Sequence, residues 1–411
     1  GHRREERSAA KFYLYDSFSW LILIGIKTYI SANYFEKLTM AFLQSIAAQT
    51  DFSSWLAKHL ISTHVKDDNT HVKDSNFVFS PLSIHVVLAM VAAGSGIPAR
   101  EQLLRYLMFD SIEELNSLSS QIATWLLADG GPLGGPYMSF ANRVWVERSL
   151  VLKPAFKEIV ETTYRSALGH VDFRNQFDVV REEVNAWAEE KTNGAWHSKF
   201  DPSLTKVGDF FLLNGSSVRV PFMTSSKDQF ALAFDDLKVL KLPYKRGQDT
   251  QAFSMYFFLP NARDGLQALV EKFGSISGFI EHHTPRQRVK MGDFRLPKFK
   301  ISFDFEASEF FKKQGLVLPF RGGLTEMVYS SPNIPPLEIS LFFHKAYVEV
   351  DEQGTEAAAV SACVVTFRCG RYRREDLFDF VADHPFLFVI REETSGVVLF
   401  VGQFVNPLLS D

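Results

Sequence analysis

The chain is poor in cysteine, in excess positive charge and in long apolar runs, and each shortage removes a class of protein. Only Cys363 and Cys369 occur among the 411 residues, which excludes a disulfide framework and a structural zinc site built on thiolates. If the segment between them is extended, six residue steps hold them about 20 Å apart, far beyond the about 7 Å that a bridge spans. They read as free thiols. Acidic residues outnumber basic ones, giving a net charge of -4. No Lys/Arg patch is interleaved with aromatics either, so nucleic acid is not an expected partner. The apolar run Trp20 to Ile26 falls well short of the about 20 residues that cross a bilayer. No membrane partner is expected.

The familiar signatures of catalysis are also missing. There is no Gly-x-Ser-x-Gly elbow, no His-Glu-x-x-His, no phosphate-binding Gly-rich loop and no Gly-x-Gly-x-x-Gly turn. The repeated THVKD at Thr63 and Thr70 reads as a duplicated surface loop, since its two histidines have no third ligand nearby. His282 and His283 are adjacent in the sequence, so on a regular element they point different ways. A nucleophile at Cys369 with His384 as its base is the remaining enzymatic reading, and lone Cys and His residues are more often passive. The expectation is a protein that is not an enzyme and carries no cofactor or metal.

What is abundant is apolar and aromatic. Hydrophobic residues make up 46% of the sequence, enough for a large core in a globular chain. Residues 1–39 read as an N-terminal extension without a fixed structure. Arg3 and Arg4 ahead of the apolar run suggest a signal peptide only weakly, because tyrosines flank it and the cleavage context is poor. A cytoplasmic location is therefore favoured over an extracellular one, and the compartment decides whether Asn214, in NGSS, is ever glycosylated.

From Asp51 onward helical spacing dominates, with Asp51 or Ser53 as a cap and Phe52, Trp55, Leu56 and Leu60 on one face. NFVFSPLSIHVVLAMVAAGS runs from a short strand into a helix apolar nearly all round, with Ser80 as cap and Pro81 in the first turn. Asp110 and Glu113 suggest a capping box for the next helix. Strand patterns then take over: VRVPFM, LKVLKLPY, FSMYFFLP, RLPKFKISFDFE, KAYVEVDE, FLFVIRE and GVVLFVGQFVNP. A helix-rich first half, a strand-rich second half and no βαβ rhythm give an α+β layout in one large domain.

Long stretches in a fixed order carry a resemblance: NFVFSPLSIHVVLAMVAAGS, ANRVWVE, VNAWAEEKTNG, NGSSVRVPFM, FSMYFFLP, RLPKFKISFDFEASEFFKKQGLVLPF, FHKAYVEVDEQGTEAAAVSA and DFVADHPFLFVIREETSGVVLFVGQFVNP. Together they resemble the serpins, and plant serpins in particular, over about Met40 to Pro407. The resemblance implies a large central mixed sheet, two smaller sheets, surrounding helices and an exposed reactive loop. The serpin domain would then be residues 40–411, with the loop at about 354–380.

Family inhibitors are single-use traps. A protease attacks the loop, forms its acyl-enzyme and is carried away as the cut loop inserts into the large sheet. The resemblance places the hinge at Gly354, Thr355, Glu356, Ala357, Ala358 and Ala359, and the scissile bond at Arg368-Cys369. Arg368 would suit the acidic pocket of a trypsin-like serine protease, and a cysteine protease that prefers Arg is a second candidate. The inhibitor itself is expected to be a monomer. Arg371, Arg373 and Arg374 would supply other cut sites or a docking surface.

Insertion explains the composition of this stretch. On a period of two, Thr355, Ala357, Ala359, Ser361, Cys363 and Val365 share a face that is small first and apolar later, with no charge. The fourteen steps from Gly354 to Arg368 would make about 46 Å of inserted strand. Glu352 and Lys298 match the family positions that meet where the sheet opens.

One departure is marked. After EEKTNG the family pattern continues through a loop and a central strand of the large sheet. Here Gly194 runs straight into Ala195-Trp196-His197. The expected fold therefore lacks one central strand after Gly194.

Overall fold

The computed structural model describes residues 40–62, 75–125, 143–172, 200–244, 252–329, 336–340, 342–352 and 377–409, with isolated positions 176 and 179. The chain divides into two units, Gly1–Ile46 and Ala47–Asp411. Of the first only residues 40–46 are described, and they are helical. The extension assigned to residues 1–39 and the duplicated THVKD loop lie outside the described residues.

The first helix, α1, covers residues 40–62. It starts well before Asp51, so Asp51 does not cap it. Its carboxylate instead accepts from Ser277 Oγ at 2.6 Å and from the Gly278 backbone N–H at 3.3 Å. Strand β1 (Phe77–Phe79) leads into α2 (Pro81–Ala93), where Ser80 caps as expected by accepting from the Ser83 N–H at 3.1 Å. Then follow α3 (Ala99–Leu107) and α4 (Ile112–Trp125). The cap of α4 is Ser111, which accepts from the Glu114 N–H at 3.1 Å. The box thus sits one residue later than Asp110–Glu113, in a Ser-x-x-Glu register that satisfies one of the helix's orphan donors.

Strands β2 (Arg143–Glu147) and β3 (Ala167–Val171) flank α5 (Pro154–Glu158), which runs into one π-helical turn, Ile159–Thr163. Further on come β4 (Lys206–Phe211), β5 (Ser217–Met223), β6 (Gln229–Ala233), β7 (Leu237–Pro243) and β8 (Phe253–Pro260). Helices α6 (Leu266–Ser275) and α7 (Phe279–His282) precede β9 (Arg288–Val289), β10 (Met291–Pro297) and β11 (Phe299–Glu306). The chain closes with α8 (Ser308–Lys313), β12 (Phe343–Val350), β13 (Phe378–Val381), β14 (Phe386–Glu392) and β15 (Val398–Phe404).

The expected α+β layout of a large sheet, smaller sheets and helices is the one observed, but the large sheet is antiparallel throughout where a mixed one was expected, and the parallel pairs lie in the smaller sheets. Seven strands pair antiparallel in the order β1-β15-β14-β8-β7-β6-β9. At the centre β8 buries all eight of its residues, FSMYFFLP. A run of strand length that is apolar and aromatic but for Ser254 suits a strand covered on both faces. Gly402 on β15 is fixed by close approach, since a Cβ there would lie 2.3 Å from Phe388 Cζ and 2.6 Å from the Phe77 carbonyl oxygen. Glu392, fully buried, pins the end of β14: it accepts from the Ala252 N–H at 3.1 Å and from the Ser395 N–H and hydroxyl at 2.6 and 2.8 Å. Three donors on one carboxylate offset the cost of taking it out of water.

A second sheet of four strands runs β13-β10-β5-β4, with β10 and β13 parallel. The remaining strands form two pairs among the described residues, β11 with β12 antiparallel and β2 with β3 parallel. The β11 end sits on the seven-stranded sheet through Phe299, whose ring centroid lies 4.9 Å from that of Phe404 and 5.4 Å from that of Phe388.

Two buried histidines join α2 to this frame. His344 of β12 accepts from the Ser80 N–H at 3.0 Å through Nε2. His85 lies between Phe52 and Phe109 with no hydrogen-bond partner on either ring nitrogen. Burial lowers each from its ordinary 6.5 to about 4. The folded chain thus holds both imidazoles neutral, while the unfolded chain takes up protons below about pH 6.5. Stability is complete above that pH and declines as pH falls toward 4, by about 1.4 kcal/mol per unit for each histidine. Urea titrations from pH 7 to pH 5 should show that decline, and His85→Leu should roughly halve its slope whatever the variant's stability at pH 7.

Candidate functional site

The site begins where β12 ends. Val350 pairs with Phe299, and two residues later Glu352 sits buried in the last described position before residue 353. Its carboxylate reaches Lys298 Nζ at 2.6 Å and accepts from Thr205 Oγ1 at 2.5 Å. Lys298 is the single residue between β10 and β11, and its N–H donates to the Pro221 carbonyl of β5 at 3.1 Å. Thr205 directly precedes β4 and follows a short turn, Pro202–Leu204, capped by Asp201, which accepts from the Ser203 N–H at 2.9 Å. One carboxylate therefore ties the end of β12 to the four-stranded sheet at two points.

Burial by itself would push the Glu352 carboxyl up, but the hydrogen bonds from Lys298 and Thr205 outweigh it and hold the group below the ordinary glutamate value. Glu352 is then an anion throughout the neutral range. Lys298 keeps about a third of its side chain in water, 37% exposed against 5% for the Glu352 side chain. The lysine thus supplies charge at modest desolvation cost, and Thr205 satisfies the second oxygen.

Of the residues singled out in the sequence, Glu352 and Lys298 are brought together. Gly354, Thr355, Glu356, Ala357, Ala358, Ala359, Arg368 and Cys369 lie outside the described residues, as do Arg371, Arg373 and Arg374. Thr205 was not foreseen, because a threonine ahead of a strand carries no local signal for a partner 147 positions away. The stretch resumes at Leu377 and enters β13, whose Asp379 accepts from the Asp293 N–H of β10 at 2.7 Å and whose carbonyl accepts from Lys238 at 2.9 Å. Both flanks of residues 353–376 are thus fastened to sheets. His384, the other half of the enzymatic reading, is buried with Nδ1 2.8 Å from Asp383 Oδ1 and Nε2 2.7 Å from the Pro260 carbonyl oxygen. Both ring nitrogens face acceptors of their own, and Cys369 lies outside the described residues. Among the described residues no group of three His, Cys, Asp or Glu side chains could hold a metal, and no helix is long and apolar enough to cross a membrane.

A family model described as serpin, serine protease inhibitor, matches residues 47–195 and 193–407. The chain belongs to the serpin family. It is 47% identical to Serpin-ZX of Arabidopsis thaliana, over 89% of this chain and 99% of that one, and 45% identical to Serpin-Z1C of Triticum aestivum, over 89% and 97%. The solved structure of Arabidopsis AtSerpin1 in its native stressed conformation superposes with a TM-score of 0.81 at 46% identity, covering 89% of this chain and 99% of that one. Its relatives make it a plant serpin.

The family match comes in two stretches that meet at residues 193–195, at the Gly194–Ala195 junction where the sequence jumps. The alignment with Serpin-ZX runs over 394 positions and takes in 89% of 411 residues, about 366, so about 28 positions of that relative have no counterpart here. That is length enough for a loop and a strand.

Replacing Glu352 by lysine would set two cations together and leave the Thr205 hydroxyl without its acceptor. The loss should be about 2 kcal/mol or more, because the buried partner is the one reversed. We expect Glu352→Lys to form ladders of polymer on a native gel after mild warming, while the parent chain stays a single band. Unchanged monomer in the variant would show that the tie does not hold the strand.

Proposed function

We propose that this serpin inhibits trypsin-like serine proteases as a suicide substrate, cut at Arg368-Cys369, with the hinge Gly354 to Ala359 feeding the loop into the sheet beyond β12. The observation that carries the reading is the ion pair of Glu352 with Lys298, reinforced by Thr205, at the foot of the segment whose sequence is GTEAAA. A carboxylate anchored there fixes the end of β12 just ahead of the hinge, and the face formed by Thr355, Ala357 and Ala359, small and uncharged, is what strand insertion needs. Arg368 would occupy the protease's acidic specificity pocket. The chain acts as bait and trap and turns over no substrate of its own. It works as a monomer, and an Arg-preferring cysteine protease is a secondary target.

A second reading rests on a specific observation. The family match breaks at residues 193–195, and β12, which leads to the hinge, pairs only with β11 among the described residues. A chain short of a central strand would be cut at the same bond and release the protease still active.

Mixing the purified chain with trypsin and running a denaturing gel separates the two. Inhibition gives a covalent band at the summed mass, abolished in Arg368→Ala. Cleavage after Arg368 with full residual trypsin activity gives the substrate reading, and no cleavage at that bond defeats both.

A further inference from the structure

We propose that Asp379 is a positioning residue for protease attack: its carboxylate, seated on a glycine bulge of β10, holds the start of β13 in register and so fixes the C-terminal foot of residues 353–376. The proposal rests on the reading that a trypsin-like protease attacks Arg368-Cys369. β13 is only four residues long and lies at the edge of its sheet, paired with β10 alone among the described residues. Between the pairs Met291–Phe378 and Phe294–Phe380 the register shifts, so β10 takes three steps where β13 takes two. Gly292 and Asp293 thus stand against Asp379 alone. That is the two-against-one arrangement of a β-bulge, which takes backbone groups off the ladder.

The Asp379 side chain repairs the ladder at that point. Its Oδ1 accepts from the Asp293 N–H at 2.7 Å. Gly292 leaves the space for it, since a Cβ there would collide with Asp379 Oδ1 and lie 3.2 Å from Leu377 Cβ. Arg295 Nε donates to the Asp293 carboxylate at 2.9 Å, so the neighbouring carboxylates of Asp293 and Asp379 do not face each other uncompensated. The Phe378 N–H donates to the Lys290 carbonyl at 2.8 Å, and the carbonyl of Asp379 accepts from Lys238 Nζ of β7 at 2.9 Å. One residue therefore joins β13 to β10 through its side chain and to the seven-stranded sheet through its backbone.

Its place along the chain decides when it acts. Phe380, fully buried, anchors the later part of β13, whereas Leu377 and Asp379 are exposed and Phe378 is half-buried. The first residues of such an edge strand are where fraying starts. Each residue that frays adds slack between Glu352 and β13, and a slacker chain must lose more conformational freedom when a protease binds it. In the attack the protease's nucleophilic oxygen bonds to the Arg368 carbonyl carbon, the bond from that carbon to the Cys369 nitrogen breaks, and that nitrogen takes the nucleophile's proton by way of the protease's base. From then on Cys369 and everything after it, Asp379 included, lie on the far side of the break. Asp379 thus governs how fast the bond is attacked and has no hold on the segment that follows Glu352 into the sheet.

The full chain and its variants are mixed with trypsin, and three quantities are read: the second-order rate of reaction, the fraction of chains trapped rather than cut free, and the thermal midpoint. Asp379→Ala and Gly292→Ala should each slow the reaction by about threefold to tenfold, the effect of one hydrogen bond at a fraying end. The trapped fraction should equal the parent's and the midpoint should stay within about 2 °C. Asp379→Asn, which keeps an oxygen for the Asp293 N–H, should react within about twofold of the parent. Combining Gly292→Ala with Asp379→Ala should slow the reaction no further, because both remove the same contact. Where the parent is cut without being trapped, the same comparison is made with kcat/KM for cleavage at Arg368-Cys369. A parent cut at that bond beside an equally fast Asp379→Ala overturns this proposal alone, as does a slower variant whose trapped fraction falls, which would put its action after the cut. A parent left intact at that bond overturns the functional reading and this proposal with it.

Discussion

Backbone pairing is the constraint on which this structure rests: a strand buried in a sheet needs a partner along each edge, because an unpaired buried N–H or C=O costs as much as a lost hydrogen bond. The seven-stranded sheet meets this demand at its centre. β14 and β8 are flanked on both sides and covered on both faces, and their aromatic side chains pack against β11 and β15 as well as α6 and α7. The strands bordering the hinge sit in smaller assemblies, so the sheet most exposed to change is also the one with least pairing of its own among the described residues.

Much of the fold could be read in the sequence because local chemistry and tertiary placement agree. Ser80-Pro81 starts α2, FSMYFFLP fills the middle of the large sheet, and the alternation in FKISFDFE becomes the buried and exposed faces of β11. Helix starts were read less well. Asp51 and Asp110 both have the composition of caps, yet Asp51 is enlisted by the α6–α7 turn and Asp110 yields to Ser111, choices made by partners that are remote in one case and adjacent in the other. RLPKFKISFDFE reads as one strand but divides at Lys298 between two sheets, because only tertiary contacts can tell a corner from a continuation.

The candidate site was half legible. Glu352 and Lys298 emerged from family resemblance, not from spacing, since nothing local links residues 54 apart. Thr205 was invisible for the same reason, although it satisfies the other carboxylate oxygen. The sequence jump at Gly194–Ala195 could be seen without any structure, and the two-part family match falls on the same junction. Physical chemistry gives the jump its meaning: removing a strand takes away hydrogen-bond partners from both neighbours at once.

The corner at Lys298 has a mechanical side. β10 ends at Pro297 and β11 begins at Phe299, so a single residue carries the chain from one sheet to another, and that residue also grips Glu352. Covalent chain, β11–β12 pairing and ion pair together form a closed triangle with Lys298 at one vertex. A triangle is rigid where an open linkage is not. While the third side holds, β12 cannot swing without dragging the four-stranded sheet along; once it parts, the same three elements become a hinged arm with a freedom the closed figure lacks.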